Sequence, residues 1–337
     1  MAFVVYGAGA VGGVLGGLRH EASHDVVLVA RGEHLAAIRD RGLRVASPER
    51  ARDVPVPAVS SPAEVDWGSG DVVLLAVKSD ATPSALPALA AAAPPETPLV
   101  SVQNGVANEP AALRWFAHVY GVCVMMPAAH FEPGTVEQHC APTPGILDVG
   151  RFPTGVDDRA EAIAAAFRAA GFVSEPRPDI MRWKYRKLLL NLGNAVEAVC
   201  GRNGGAEELT ALVRSEGEAA LAAAGIDPIP EQADEERRAG ILQEGLIDGR
   251  VRAGGSSWQS LARRTGTIES DYLNGEIVRL GRLHGVPTPA NELLRRQANE
   301  LAAGGKPPAS VPATELLTRL QGLVDDARDA SLVRDDA

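Results

Sequence analysis

A short apolar run, Phe3-Val4-Val5-Tyr6, ends in Gly7-Ala8-Gly9-Ala10-Val11-Gly12 and is followed by a small-residue helical pattern. G-x-G-x-x-G in that setting is the turn from a first strand into a helix that receives a dinucleotide. Gly7 permits the tight turn. Gly9 leaves no side chain in the path of the pyrophosphate, and Gly12 lets the helix approach the sheet. The phosphates would meet the unpaired N–H groups of the helix N-terminus around Ala10 and Val11. A second apolar run, 25–30, ends in Arg31 instead of an acid. Asp or Glu there would hold a ribose 2′-hydroxyl, whereas a guanidinium can clamp a 2′-phosphate bidentately. The spacing therefore predicts NADP(H).

The first half alternates strand and helix patterns. Strands are expected at 2–6, 25–30, 43–46, 71–77, 98–102 and 122–126, and helices at 10–20, 32–41, 84–93 and 108–119. That alternation implies a parallel sheet with right-handed crossovers. Residues 127–148 are expected to add antiparallel strands at the sheet edge before a last helix near 158–170. Pro176 and Pro178 mark a linker, after which helical periodicity takes over. Helices are expected near 179–200, 206–224, 231–247, 257–264, 268–284, 290–302 and 312–327. The fold class is thus α/β plus all-α: a Rossmann dinucleotide-binding domain over 1–176 and a helical substrate domain over 177–330.

Of the 337 residues, 33 are basic and 43 acidic, a formal net charge of −10. That balance argues against nucleic acid or an anionic membrane as a partner. The three cysteines, Cys123, Cys140 and Cys200, have no C-x-x-C spacing, which suits a reduced, cytoplasmic compartment. No metal site is expected, and no targeting segment or membrane span is visible.

The helix expected at 179–200 carries Lys184, Lys187, Asn191 and Asn194 at i, i+3, i+7 and i+10, a single face, among Leu188, Leu189, Leu190 and Leu192. Buried lysines and asparagines need partners, so the stripe faces either solvent or a ligand. Asparagine favours a site, because on a solvated helix face it competes with the backbone. Ser256-Ser257-Trp258-Gln259 offers a helix N-cap, and Glu269 falls in the first turn of the next helix, where the dipole alone could explain an acid.

Together these segments resemble the ketopantoate reductase (2-dehydropantoate 2-reductase) family over most of the chain. The matching motifs are the opening glycines, Val29-Ala30-Arg31-Gly32-Glu33-His34-Leu35, Val77-Lys78, Gln103-Asn104-Gly105, the run from Trp183 through Lys187 to Asn191, Ser256 to Gln259, and Glu269 to Gly275. The resemblance implies a Rossmann domain plus a helical domain with the active site in the cleft between. It implies Lys187 as general acid and Asn104 at the nicotinamide–substrate region. Lys78 would line the cofactor side. Asn191, Asn194, Ser257 and Glu269 would bind substrate, with Glu269 also near the cofactor. The implied reaction is NADPH-dependent reduction of 2-dehydropantoate to pantoate, in pantothenate and coenzyme A biosynthesis. The alternatives are a reductase of another 2-keto acid and a non-catalytic NADP(H) sensor. The implied partner is a small 2-keto acid, and a homodimer is the assembly considered.

The chain departs from the family at two points. Asn194 falls seven residues after Lys187 and lacks the following proline, so the helix is expected to run on unbroken. Glu197 stands near a position that is usually a neutral threonine, where a free carboxylate would repel a keto acid. Lys184, one turn before Lys187, is the rival acid. A third family asparagine has only a gapped counterpart, Asn203.

Overall fold

The computed structural model describes residues 1–202 and 204–335; Asn203 lies outside them. The chain divides into two compact units, one of Met1–Lys187 with Pro228–Arg252, the other of Leu188–Asp227 with the residues from Ala253 onward. The sequence suggests two contiguous spans; compactness instead returns residues 228–252 to the first unit. An isolated bridge between Cys140 and Glu244 fastens that excursion. The buried Asp148 carboxylate adds to it, receiving Arg237 at 2.6 and 2.8 Å.

The first unit contains eleven strands and the helices that cover them. In chain order these are β1 (Phe3–Tyr6), α1 (Ala10–Glu21), β2 (Val26–Val29), α2 (Gly32–Arg41), β3 (Leu43–Ala46), β4 (Ala51–Val54), β5 (Ala58–Val59) and β6 (Val72–Leu75). There follow α3 (Thr82–Ala92), β7 (Leu99–Ser101), α4 (Asn108–Ala112), β8 (Val119–Met125), β9 (Ala128–Ala129), β10 (Thr135–Gln138), β11 (Ile146–Arg151) and α5 (Asp158–Ala169). The main sheet has the order β11-β8-β7-β6-β1-β2-β5, parallel except for β11. Strands β1 (FVVY) and β6 (VVLL) are buried throughout, as continuous apolar runs must be when both faces are covered. One face packs Leu15 of α1 and Phe167 of α5; the other packs Leu86 and Leu89 of α3.

Three expectations about this unit need correction. The 43–46 strand does not join the main sheet: β3 pairs with β4 and β10 in a second sheet of order β4-β3-β10-β9. Of the pieces within 127–148, only β11 takes the antiparallel edge of the main sheet; β9 and β10 belong to the second. The helix expected at 108–119 stops at Ala112, and Val119 already opens β8.

The helix α6 (Ile180–Asn191) is followed after Leu192 by α7 (Gly193–Cys200). The unbroken helix expected from 179 to 200 is therefore interrupted, although Leu192 keeps helical torsions (φ −59°, ψ −34°). Beyond it stand α8 (Ala206–Ala223) and α9 (Glu231–Arg238), then α10 (Ser256–Ala262), α11 (Asn274–His284), α12 (Pro289–Ala303) and α13 (Ala313–Asp335). Helix α9 is half the length expected, because the chain turns at Gly240 (φ +72°) and becomes the returning segment. In the second unit Glu216 accepts the N–H groups of Ala290 and Asn291 at 2.8 and 2.9 Å. That satisfies two unpaired donors in the first turn of α12. No helix among the described residues is long and apolar enough to cross a membrane.

Candidate functional site

Chain order reverses between β1 and β6, which are neighbours in the sheet. In such sheets ligands bind outside the strand carboxyl ends at that switch point. Four stretches singled out in the sequence follow those ends: Gly7–Gly12 after β1, Arg31 after β2, Val77-Lys78 after β6 and Gln103-Asn104-Gly105 after β7.

The three glycines have different surroundings. Gly7 sits at φ +108°, and an added Cβ would lie 2.8 Å from the Val77 backbone nitrogen. A Cβ on Gly12 would lie 2.1 Å from the Gly7 carbonyl and 2.9 Å from both the Ala76 Cβ and Val5 Cγ1. One on Gly9 would meet nothing within 4 Å. The chain thus closes on itself at Gly7 and Gly12 and stays open at Gly9, at the start of α1, where an anion would approach. Ala10 and Val11 form the first turn of α1, whose N-cap is Gly9. The residues therefore fit a dinucleotide.

Sequence reasoning gave His34 no role, yet it fastens this loop. Its Nδ1 accepts the Gly134 N–H at 2.8 Å, so Nε2 carries the proton and donates to the Ala8 carbonyl at 2.7 Å. Arg31, the N-cap residue of α2, is exposed and donates to the Tyr6 hydroxyl at 2.8 Å. Lys78 is half-buried and heads a short 3₁₀ turn. Gly105 adopts φ +78°, the left-handed geometry that Asn-Gly favours. The Asn104 side chain is half-buried and makes no hydrogen bond among the described residues. Its neighbour Gln103 ties the strand ends together, donating to the Val77 carbonyl at 2.8 Å and to Thr82 at 2.9 Å.

The two stripe lysines on α6 differ. The Lys184 ammonium is buried and lies 2.5 Å from the fully buried carboxylate of Glu109. It also donates to the carbonyls of Gln103 at 2.9 Å and Val122 at 3.2 Å. Its donors are therefore engaged in pinning α6 to β8 and to the end of β7. Lys187, half-buried, forms no hydrogen bond or ion pair among the described residues. Burial lowers its pKa, with Asp234 opposing the shift and Arg238 and Arg252 adding to it. The neighbouring Cys123 thiol is pushed up to about 12 by burial, so at neutral pH it offers no compensating charge.

In the second unit Asn191 is 7% exposed, and its Nδ2 has no acceptor among the described residues. Its Oδ1 accepts from Asn194 at 3.4 Å. A buried amide donor without a partner costs about 1–3 kcal/mol, a cost that a ligand oxygen would remove. Gly255, not a serine, is the N-cap of α10; Ser257 lies inside the first turn, buried, with no hydrogen bond among the described residues. Glu269 is buried and opens a 3₁₀ turn, Glu269–Asp271. The carboxylate of Glu197 accepts the Gly255 N–H at 3.1 Å and is paired with Arg202 at 2.7 Å. It is not the free charge feared from the sequence.

A doubly wound sheet with this loop at its switch point defines a dinucleotide-binding protein. The family model described as ketopantoate reductase PanE/ApbA matches residues 3–154, and its C-terminal counterpart matches residues 179–302. The 2-dehydropantoate 2-reductase of Pyrococcus horikoshii is 28% identical over 90% of this chain and 99% of its own. A PanE/ApbA family ketopantoate reductase from Ralstonia eutropha JMP134 is 31% identical, with a TM-score of 0.76 over 90% of this chain and 99% of its own. The NADH-bound D-mandelate dehydrogenase shares the fold at 22% identity, with a TM-score of 0.78 over 90% of this chain and 99% of its own. The chain belongs to the ketopantoate reductase family.

Proposed function

We infer that this protein reduces 2-dehydropantoate to pantoate with NADPH, and that Lys187 is the proton donor. The observation that carries the reading is the contrast on α6 between a lysine engaged by Glu109 and a half-buried one with no hydrogen bond or ion pair among the described residues, whose pKa burial lowers. Gly7, Gly9, Ala10, Val11 and Gly12 would hold the pyrophosphate, Arg31 the 2′-phosphate, and Lys78, Asn104 and Glu269 the nicotinamide side. The bound dinucleotide supplies the hydride. As the carbonyl oxygen gains negative charge, the Lys187 ammonium stabilises it and passes it a proton. Depressing the lysine's pKa brings it nearer the working pH, where an acid is most effective. Asn191 offers its unpaired amide donor to a substrate oxygen. Asn194, Ser257 and Glu269 would bind the remaining carboxylate and hydroxyl groups.

A second reading, reduction of a different 2-keto acid, is favoured by one observation: where the family has Asn-Pro, this chain has Asn194-Ala195. The test is steady-state NADPH oxidation against 2-dehydropantoate and a panel of branched 2-keto acids. The highest kcat/KM is expected with 2-dehydropantoate. A clear preference for another acid would establish the second reading. Tight NADPH binding with no turnover on any acid would contradict both and indicate a sensor.

A further inference from the structure

Two other exposed arginines of the first unit meet carboxylates. Arg39 pairs with Glu64 at 3.3 Å and Arg44 with Asp53 at 3.4 Å. Arg31 meets no carboxylate among the described residues; its partner is the neutral hydroxyl of Tyr6, at 2.8 Å. Tyr6 ends β1 and is 3% exposed, its side chain packed among Val29, Val73 and Leu75. A phenol held in that core has little torsional freedom, so its oxygen is a fixed point at the carboxyl edge of the sheet. Accepting one N–H orients the guanidinium without cancelling its charge, and leaves the other N–H groups for an anion.

We propose that Tyr6 is a positioning residue for the 2′-phosphate of the dinucleotide, acting by holding Arg31 ready. The inference rests on the NADP(H) reading and deepens it. An exposed arginine loses rotamer freedom when it clamps a phosphate, and a side chain already oriented loses less. Tyr6→Phe keeps the ring in the core and removes only the hydroxyl.

The experiment is a binding titration of NADPH and of NADH, without substrate, on the wild type, Tyr6→Phe, Arg31→Ala and the double variant. Tyr6→Phe is expected to raise the Kd for NADPH by about threefold to tenfold and to leave that for NADH unchanged. In the Arg31→Ala background it should have no further effect, since the two act as one unit. Equal weakening of both cofactors, or no change in either, would overturn the role given to Tyr6. If Arg31→Ala erases the preference for NADPH while Tyr6→Phe leaves it intact, only that role fails. If Arg31→Ala itself leaves the preference untouched, the NADP(H) reading fails and the inference with it.

Discussion

At Gly9 and Gly12 the same small substitution meets opposite surroundings. A methyl on Gly9 enters open space, and φ there is an ordinary −70°. A methyl on Gly12 would lie 2.1 Å from a backbone carbonyl that cannot move without opening the turn. Gly9→Ala should therefore keep the wild-type stability to within about 0.5 kcal/mol while losing dinucleotide affinity. Gly12→Ala should lower the thermal midpoint as well. Melting curves paired with NADPH titrations check this, and a Gly9→Ala protein that bound NADPH normally would contradict it. These roles were legible in the sequence because glycine spacing reports backbone geometry directly. Tyr6 and His34 were not, since each acts through a partner distant in the chain, Arg31 in one case and Gly134 in the other.

Helix α6 shows what periodicity can and cannot tell. The sequence placed Lys184 and Lys187 on one face, but Glu109, which separates their roles, lies on α4, far away in the chain. Removing one member of a buried ion pair leaves the other charge unpaired, at a cost of about 3–5 kcal/mol. Lys184→Met should therefore cut the unfolding free energy by about that much, as read by urea denaturation. Lys187→Met removes an ammonium that no hydrogen bond or ion pair among the described residues holds, and burial already penalises its charge; stability should change little or rise. Equal losses in the two variants would refute the division of labour. The element errors share a cause: the apolar alternation of 43–46 marks a strand but not which sheet it joins. Likewise the pattern of 231–247 does not reveal that its second half returns to the first unit.

Over the whole molecule, the fold class was readable because a Rossmann half and a helical half differ in period. The discontinuity of the first unit was not, because it depends on long-range pairs such as Asp148 with Arg237. A fragment of residues 1–176 would bury Glu109 without Lys184 and Asp148 without Arg177 or Arg237. It is expected to lack the cooperative melt of the full chain in circular dichroism; a fragment melting at the full chain's midpoint would show those pairs to be dispensable. The central claim, a proton delivered by Lys187, also sets a pH dependence. Burial lowers the pKa of this ammonium from the usual 10.5. Its acid form is therefore lost as pH rises through a value below that, and reduction slows on that alkaline limb. The most direct measurement is kcat for 2-dehydropantoate reduction across that pH range in the wild type and in Lys187→Ala, alongside the Kd for NADPH. The account predicts a fall in kcat of about 10²–10⁴-fold, loss of the alkaline limb and an unchanged Kd; undiminished turnover in Lys187→Ala would contradict it.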